Sequence, residues 1–84
     1  MTIENESSMK ISNDQLLGDI VLTEKELEAY QKIADGFRAL AMLPENAGTQ
    51  AKILNFKADG YRNSETACAE FLKKLHALKA ERGL

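Results

Sequence analysis

The chain has 84 residues, the size of one small domain, and a formal net charge of −2. Leu, Ala, Glu, Lys and Arg make up 42 of these residues, a share typical of long helices and coiled coils. Only 10 residues are Val, Ile or Thr, which excludes a sizeable β-sheet, and no apolar run approaches the ~20 residues that a membrane-spanning helix needs.

The N-terminal region is predicted to be a tail followed by a short helical turn. Residues 1–10 are polar with scattered apolar side chains and are expected to form a flexible tail, which leaves residues 11–84 as a single helical domain. Ser12 and Gln15 form a capping-box pattern, and Gly18 stands where a helix would stop. The acidic start fits neither a secretory signal nor an Arg-rich transit peptide.

The first long helix is predicted over residues 24–42. Thr23 as N-cap and Glu26 three residues later complete a capping box, and Pro44 ends the helix. Apolar residues then recur at spacings of three and four, which predicts a packed seam. The seam residues are Leu27, Tyr30, Ala34, Phe37 and Ala41, with Ile33 and Leu40 beside them to widen the apolar stripe.

The second, longer helix is predicted over residues 49–82, with Thr49 as a candidate N-cap and Gly83 closing it. Its seam keeps the same spacing and turns Glu65 towards the inside, where it would reach water or a basic partner at the seam edge, fix the register, or contact a ligand. Gly60 costs up to ~1 kcal/mol inside a helix, so a three-helix arrangement broken near residues 60–64 stays open. The antiparallel hairpin is favoured because the seam keeps its phase across Gly60. The seam residues are Leu54, Ala58, Tyr61, Glu65, Cys68, Leu72 and Leu75.

Unequal predicted helix lengths indicate a homo-oligomeric bundle. The first helix would be ~28 Å long and the second ~50 Å, which leaves the end of the second helix without a partner. Residues 11–22 or another copy of the chain would have to cover this apolar end. The charge distribution suits either solution, since residues 1–30 carry a net charge of −5 and residues 31–84 a net charge of +3. The predicted oligomer interface is Phe71, Leu72, Leu75 and Leu78.

No catalytic motif stands out, and neither an enzyme nor a cofactor is expected. Cys68 and His76 are the only cysteine and histidine, which excludes an internal disulfide and a His-rich metal site. Cys68 is interpreted as a small buried hydrophobe and His76 as a surface residue.

One patch on the second helix is the best candidate for a ligand site. A tyrosine ring stacks on flat rings, an arginine binds phosphate through two N–H groups, and the neighbouring polar side chains supply hydrogen bonds. The patch residues are Lys57, Tyr61, Arg62, Asn63 and Thr66.

The layout of a short N-terminal segment, a capped Leu-Thr-Glu-Lys-Glu helix and a second helix resembles the small phage-encoded hairpin proteins that sequester cyclic nucleotides. The resemblance is architectural; it implies a ligand class and carries over no residue.

Two hypotheses for the function remain open. The first is a non-enzymatic adaptor, inhibitor or accessory factor, phage-like in size, that acts through contacts with itself and with another protein. The alternative is an oligomeric module that sequesters an anionic, nucleotide-like small molecule. Acidic residues dilute the lysines, so nucleic acid is not expected, nor is a membrane. A lone cysteine fits the cytoplasm.

Overall fold

Two long helices form an antiparallel hairpin in the computed structural model, which describes residues 11–84. Helix α1 covers Asn13–Ala41 and helix α2 covers Thr49–Glu81, and a 3₁₀ turn at Pro44–Asn46 joins them. No strand occurs in this part of the chain, so the predicted all-α hairpin is confirmed. The predicted tail at residues 1–10 lies outside the described residues.

The predicted start of the first long helix near residue 24 is wrong, because α1 already begins at Asn13. Ser12 caps it as predicted, since the Gln15 backbone N–H donates to Ser12 Oγ at 3.0 Å. Gly18 does not stop the helix, and Thr23 is a buried residue inside it rather than its cap.

Burial of two apolar residues explains why the helix starts early. Leu16 and Ile20 extend the seam spacing back from Thr23, and both side chains are buried against Leu75. Burying such side chains contributes ~1.5–3 kcal/mol each, which exceeds the ~1 kcal/mol cost of Gly18 inside a helix.

The predicted overhang of the second helix is therefore also wrong. Helix α1 has 29 residues and α2 has 33, so the two arms are nearly equal. Leu75 is covered by α1, and Leu72 and Leu78 pack against the same cluster. Arg82 Nη1 fastens this end of the hairpin by donating to the Ile11 carbonyl at 2.7 Å. The chain covers its own C-terminal end, which removes unequal length as a reason for assembly.

Helix α2 runs without interruption through Gly60, which excludes the three-helix alternative. The predicted cap at Thr49 is wrong, because Gly48 is the N-cap and has a φ of +83° that side chains with a Cβ rarely adopt. Gly83 follows the last turn with a φ of +72°, as predicted for the residue that closes the helix.

The core is a single seam between the two helices. Ala34 and Ala58 are fully buried in it. Leu16 is the one large side chain among the described residues that is fully buried. The hairpin measures 55 × 23 × 14 Å, so it is a single layer of helices with both broad faces uncovered. The buried residues are Leu16, Ile20, Thr23, Ala34, Ala58 and Leu75.

Candidate functional site

The seam divides the hairpin into two broad faces that differ in chemistry. One of them, which we call the ion-pair face, carries three polar contacts between the helices. Arg38 Nη2 donates to Asp59 Oδ1 at 2.6 Å, Arg62 donates to Asp35, and Gln31 Nε2 donates to Glu65 Oε2 at 3.1 Å. Each of these side chains thus has a partner on the other helix.

Glu65 is the most shielded carboxylate of the ion-pair face, with a side chain that is 20% exposed. Arg62 Nη1 donates to Glu65 Oε1 at 2.7 Å. This hydrogen bond, followed by the one from Gln31, lowers the pKa of Glu65. Of the predicted roles of Glu65, pairing with a basic residue at the edge of the seam is the one that the structure shows.

The opposite face, which we call the apolar face, is formed by residues that recur at spacings of three and four beside the seam on each helix. Its large apolar side chains are between 40% and 58% exposed. Small residues lie between them. The large residues are Leu22, Ile33, Leu40, Leu43, Ile53 and Phe71, and the small ones are Ala29, Gly36, Gly60, Ser64 and Ala67.

Three open grooves follow one another along the apolar face. The first, of about 520 Å³, is lined by α1 residues that include Ile33 and Leu40, and by Leu43 in the connection that follows α1. The second, of about 420 Å³, shares Phe37 with the first and lies between the helices. The third shares Ser64 with the second and continues towards the other end of the hairpin. We call this row of shallow, open grooves the furrow, and its course along the hairpin suits an extended segment or a helix.

The structure divides the predicted ligand patch between the seam and both faces. Tyr61 lies in the seam with its ring stacked on Phe37, at a centroid distance of 5.7 Å and an interplanar angle of 20°. Lys57 lies on the side of the apolar face, where its Nζ is 5.7 Å from the centre of the Phe37 ring. The tyrosine ring is therefore already engaged within the chain.

The remaining patch residues lie towards the ion-pair face or on the outer side of α2. Arg62 is held between two carboxylates on the ion-pair face. Thr66 Oγ1 donates to the Arg62 carbonyl at 3.1 Å, and Asn63 is exposed. The five predicted residues are thus not brought together around one cavity.

Cys68 and His76 have the most distinctive side-chain chemistry, and neither belongs to a cluster of potential metal ligands among the described residues. His76 is exposed, as predicted. Cys68 is half-buried, and its Sγ donates to the Thr23 carbonyl at 3.4 Å. Burial, with a smaller contribution from Glu26, raises the pKa of the Cys68 thiol. Within residues 11–84 no group of side chains is arranged to hold a metal ion.

Of the predicted interface residues, Phe71 lies on the apolar face and is 52% exposed. Leu75 is buried between the helices, and Leu72 and Leu78 pack against the same cluster. The sequence pattern places Ile33 and Leu40 at an edge of the first seam and Phe71 and Leu78 at an edge of the second. It does not show that these edges lie on the same face of the hairpin.

Comparisons with known proteins identify no relative. No family model matches the chain, and neither the curated proteins nor the solved structures contain a match. None of the helices in residues 11–84 has the length and apolar character needed to cross a lipid bilayer.

Proposed function

We propose that this protein is a non-enzymatic interaction protein that acts through protein–protein contacts made by its apolar face. The observation that carries the proposal is the group of six large, partly exposed apolar side chains on one face. Exposed large apolar side chains grouped on one face of a protein mark an interaction site.

The shape of the face supports a helix as the bound element. The furrow runs along the hairpin, and small residues such as Gly36 and Gly60 leave space on both of its sides. Apart from the adjoining residues and backbone of its own helix, no protein atom lies within 4 Å of the place where a Cβ on either glycine would stand. Amphipathic helices bind in grooves of this type through apolar residues at helical spacing.

The chemistry of the other groups supports contact rather than catalysis or anion binding. Burial raises the pKa of Cys68, which is the opposite of what an activated nucleophile needs. Arg62 already pairs with Asp35 and Glu65, so its charge is balanced within the chain. The role we assign is that of an adaptor, inhibitor or accessory factor in the reducing cytoplasm, where a protein with a single cysteine needs no disulfide.

Site-specific photo-cross-linking tests this proposal. A photoreactive residue replaces Leu40 in the furrow or, as the matched control, Phe56, which is 79% exposed and lies on the outer side of α2. We expect protein adducts in producing cells from position 40 and not from position 56. Equal labelling at both positions, or no protein adduct at position 40, would contradict the proposal. So would a stoichiometric small molecule released from the denatured chain.

A further inference from the structure

We infer that the apolar face is closed by a second copy of this chain, with α1 of each copy lying on α2 of the other in a four-helix bundle. The inference rests on the proposed function, because it names the occupant of the same face. Two observations carry it: the size of the face in relation to the thin core, and the distribution of charges along its two helices.

The size of the face matches what a stable dimer needs. The broad side of the hairpin is 55 Å long and 23 Å wide. This outline is large enough to contain the ~800 Å² that each partner contributes to a standard interface. The single seam buries few large side chains, whereas domains are ordinarily built from two packed layers. A second hairpin supplies the missing layer and covers the six exposed apolar residues.

The charges on the apolar face differ in sign between the two helices. On α1 the spacing that defines this face includes Asp19 and Glu26 and no basic residue. On α2 it includes Lys57 and Lys74, with Glu81 in the last turn. The acidic helix of one copy is therefore complementary to the basic helix of another.

This complementarity selects one of the two symmetric ways to stack two hairpins face to face. A twofold axis parallel to the helices places α1 on α2 of the second copy at the same height. Leu75 packs beside Ile20, so Asp19 and Lys74 lie at the same end of the hairpin. In the stacked pair, Asp19 then lies near Lys74 of the second copy.

The other arrangement, with the axis across the helices, opposes like charges. It places α1 on α1 and α2 on α2 in antiparallel fashion. Lys57 and Lys74 lie at nearly equal distances from Glu65, the middle residue of α2, so when the two α2 helices overlap over their full length each lysine lies near the other lysine of the second copy. Like charges placed opposite each other across an interface are unfavourable, which disfavours this arrangement.

Sedimentation of the purified full-length chain tests the occupant. We expect the mass of two copies for the unmodified chain and for Phe56→Glu, and the mass of one copy for Leu40→Glu at the same concentration. Leu40 is 46% exposed in the single hairpin, so the variant should keep its helical circular dichroism. A monomeric unmodified chain, or an assembly that Leu40→Glu leaves intact, would overturn the inference.

A charge-exchange experiment tests the arrangement. Asp19→Lys and Lys74→Glu, each alone, turn two symmetric contacts from attractive to repulsive, which should weaken the dimer about tenfold. Mixing the two variants should restore the affinity, because both contacts in the mixed dimer again join opposite charges. If mixing does not restore the affinity, the α1-on-α2 arrangement is wrong. The effect of each substitution inside its own chain is unchanged by mixing, so only a contact between the two copies can restore the affinity.

These outcomes separate the inference from the proposed function. A monomeric pure chain that still gives adducts with a different protein from position 40 rejects the second copy and keeps the interaction protein. A chain that gives no protein adduct at position 40 and remains monomeric rejects both.

Discussion

At the scale of single residues, Glu65 shows how the hairpin accommodates a carboxylate in an apolar seam. Leu72 and Leu75 continue the same seam, yet the Glu65 side chain turns to its edge and accepts hydrogen bonds from Arg62 and Gln31. The two donors keep the ionised form favourable and lower the pKa of Glu65. A charge near the seam is tolerated because both of its oxygens have partners.

The lowered pKa of Glu65 predicts a contribution to stability that depends on pH. A carboxyl group whose pKa is lower in the folded than in the unfolded chain stabilises the fold above its unfolded pKa, ~4.3 for glutamate. This contribution is lost as the pH falls through the folded pKa. Urea unfolding from neutral to acidic pH should therefore show a smaller loss of stability for Glu65→Gln than for the unmodified chain.

The matched control for this measurement is Glu70→Gln on the exposed side of α2. It should leave the acid-induced loss of stability almost as it is in the unmodified chain. A side-chain carboxyl titration followed by NMR gives the second readout. If Glu65 titrates at or above the ordinary glutamate pKa, the hydrogen bonds with Arg62 and Gln31 do not hold in solution.

At the scale of elements, the length of α1 decides how the hairpin is covered. Leu16 is fully buried and packs with Ile20 against Leu75, so the first turns of α1 belong to the core. The local capping pattern at Thr23 predicted a later start because it depends only on hydrogen bonds within the helix. It contains no information about burial against α2. Tertiary burial outweighed both that pattern and Gly18.

Truncation of Leu16 tests this role of the first turns. Leu16→Ala should lower the free energy of unfolding by ~2–5 kcal/mol, the range found when large side chains are removed from a core. Val21→Ala, at a residue that is 51% exposed, should change the free energy of unfolding by no more than about 0.5 kcal/mol. Equal effects of the two substitutions in urea titrations would show that residues 13–22 do not pack on α2.

At the scale of the whole molecule, the hairpin is a single layer with ion pairs between the helices on one face and exposed large apolar side chains on the other. The ion-pair face pairs its charges across the two helices. The apolar face leaves Leu40, Phe71 and their neighbours in contact with water. This asymmetry, rather than a difference in helix length, is what the assembly proposal rests on.

The assembly proposal predicts that thermal stability depends on protein concentration. Because a second copy binds the folded chain and not the unfolded one, mass action raises the midpoint of unfolding as the concentration increases. Thermal unfolding followed by circular dichroism should show this rise for the unmodified chain and for Phe56→Glu. Leu40→Glu should unfold at a midpoint that does not change with concentration, and the same rise in that variant would contradict the proposal.

The sequence by itself determined the helical class, the turn near Pro44, the seam from Leu27 onward and the place of Glu65 at that seam. Each of these depends on local composition or on helical spacing, which are properties that neighbouring residues of the chain already contain. The cap at Ser12 and the end at Gly83 belong to the same group, because the side chain or backbone freedom of one residue creates them.

The tertiary structure alone decided where α1 begins, how Arg62 is paired and which faces of the two helices lie together. Ile33 and Lys57 are far apart in sequence, so no periodicity within either helix places them on one face of the hairpin. Only the antiparallel register does so, and it also brings Asp35 and Arg62 together on the other face. The physical reason is that the register is chosen by burial between the helices, such as that of Leu16 against Leu75, which acts across the chain rather than along it.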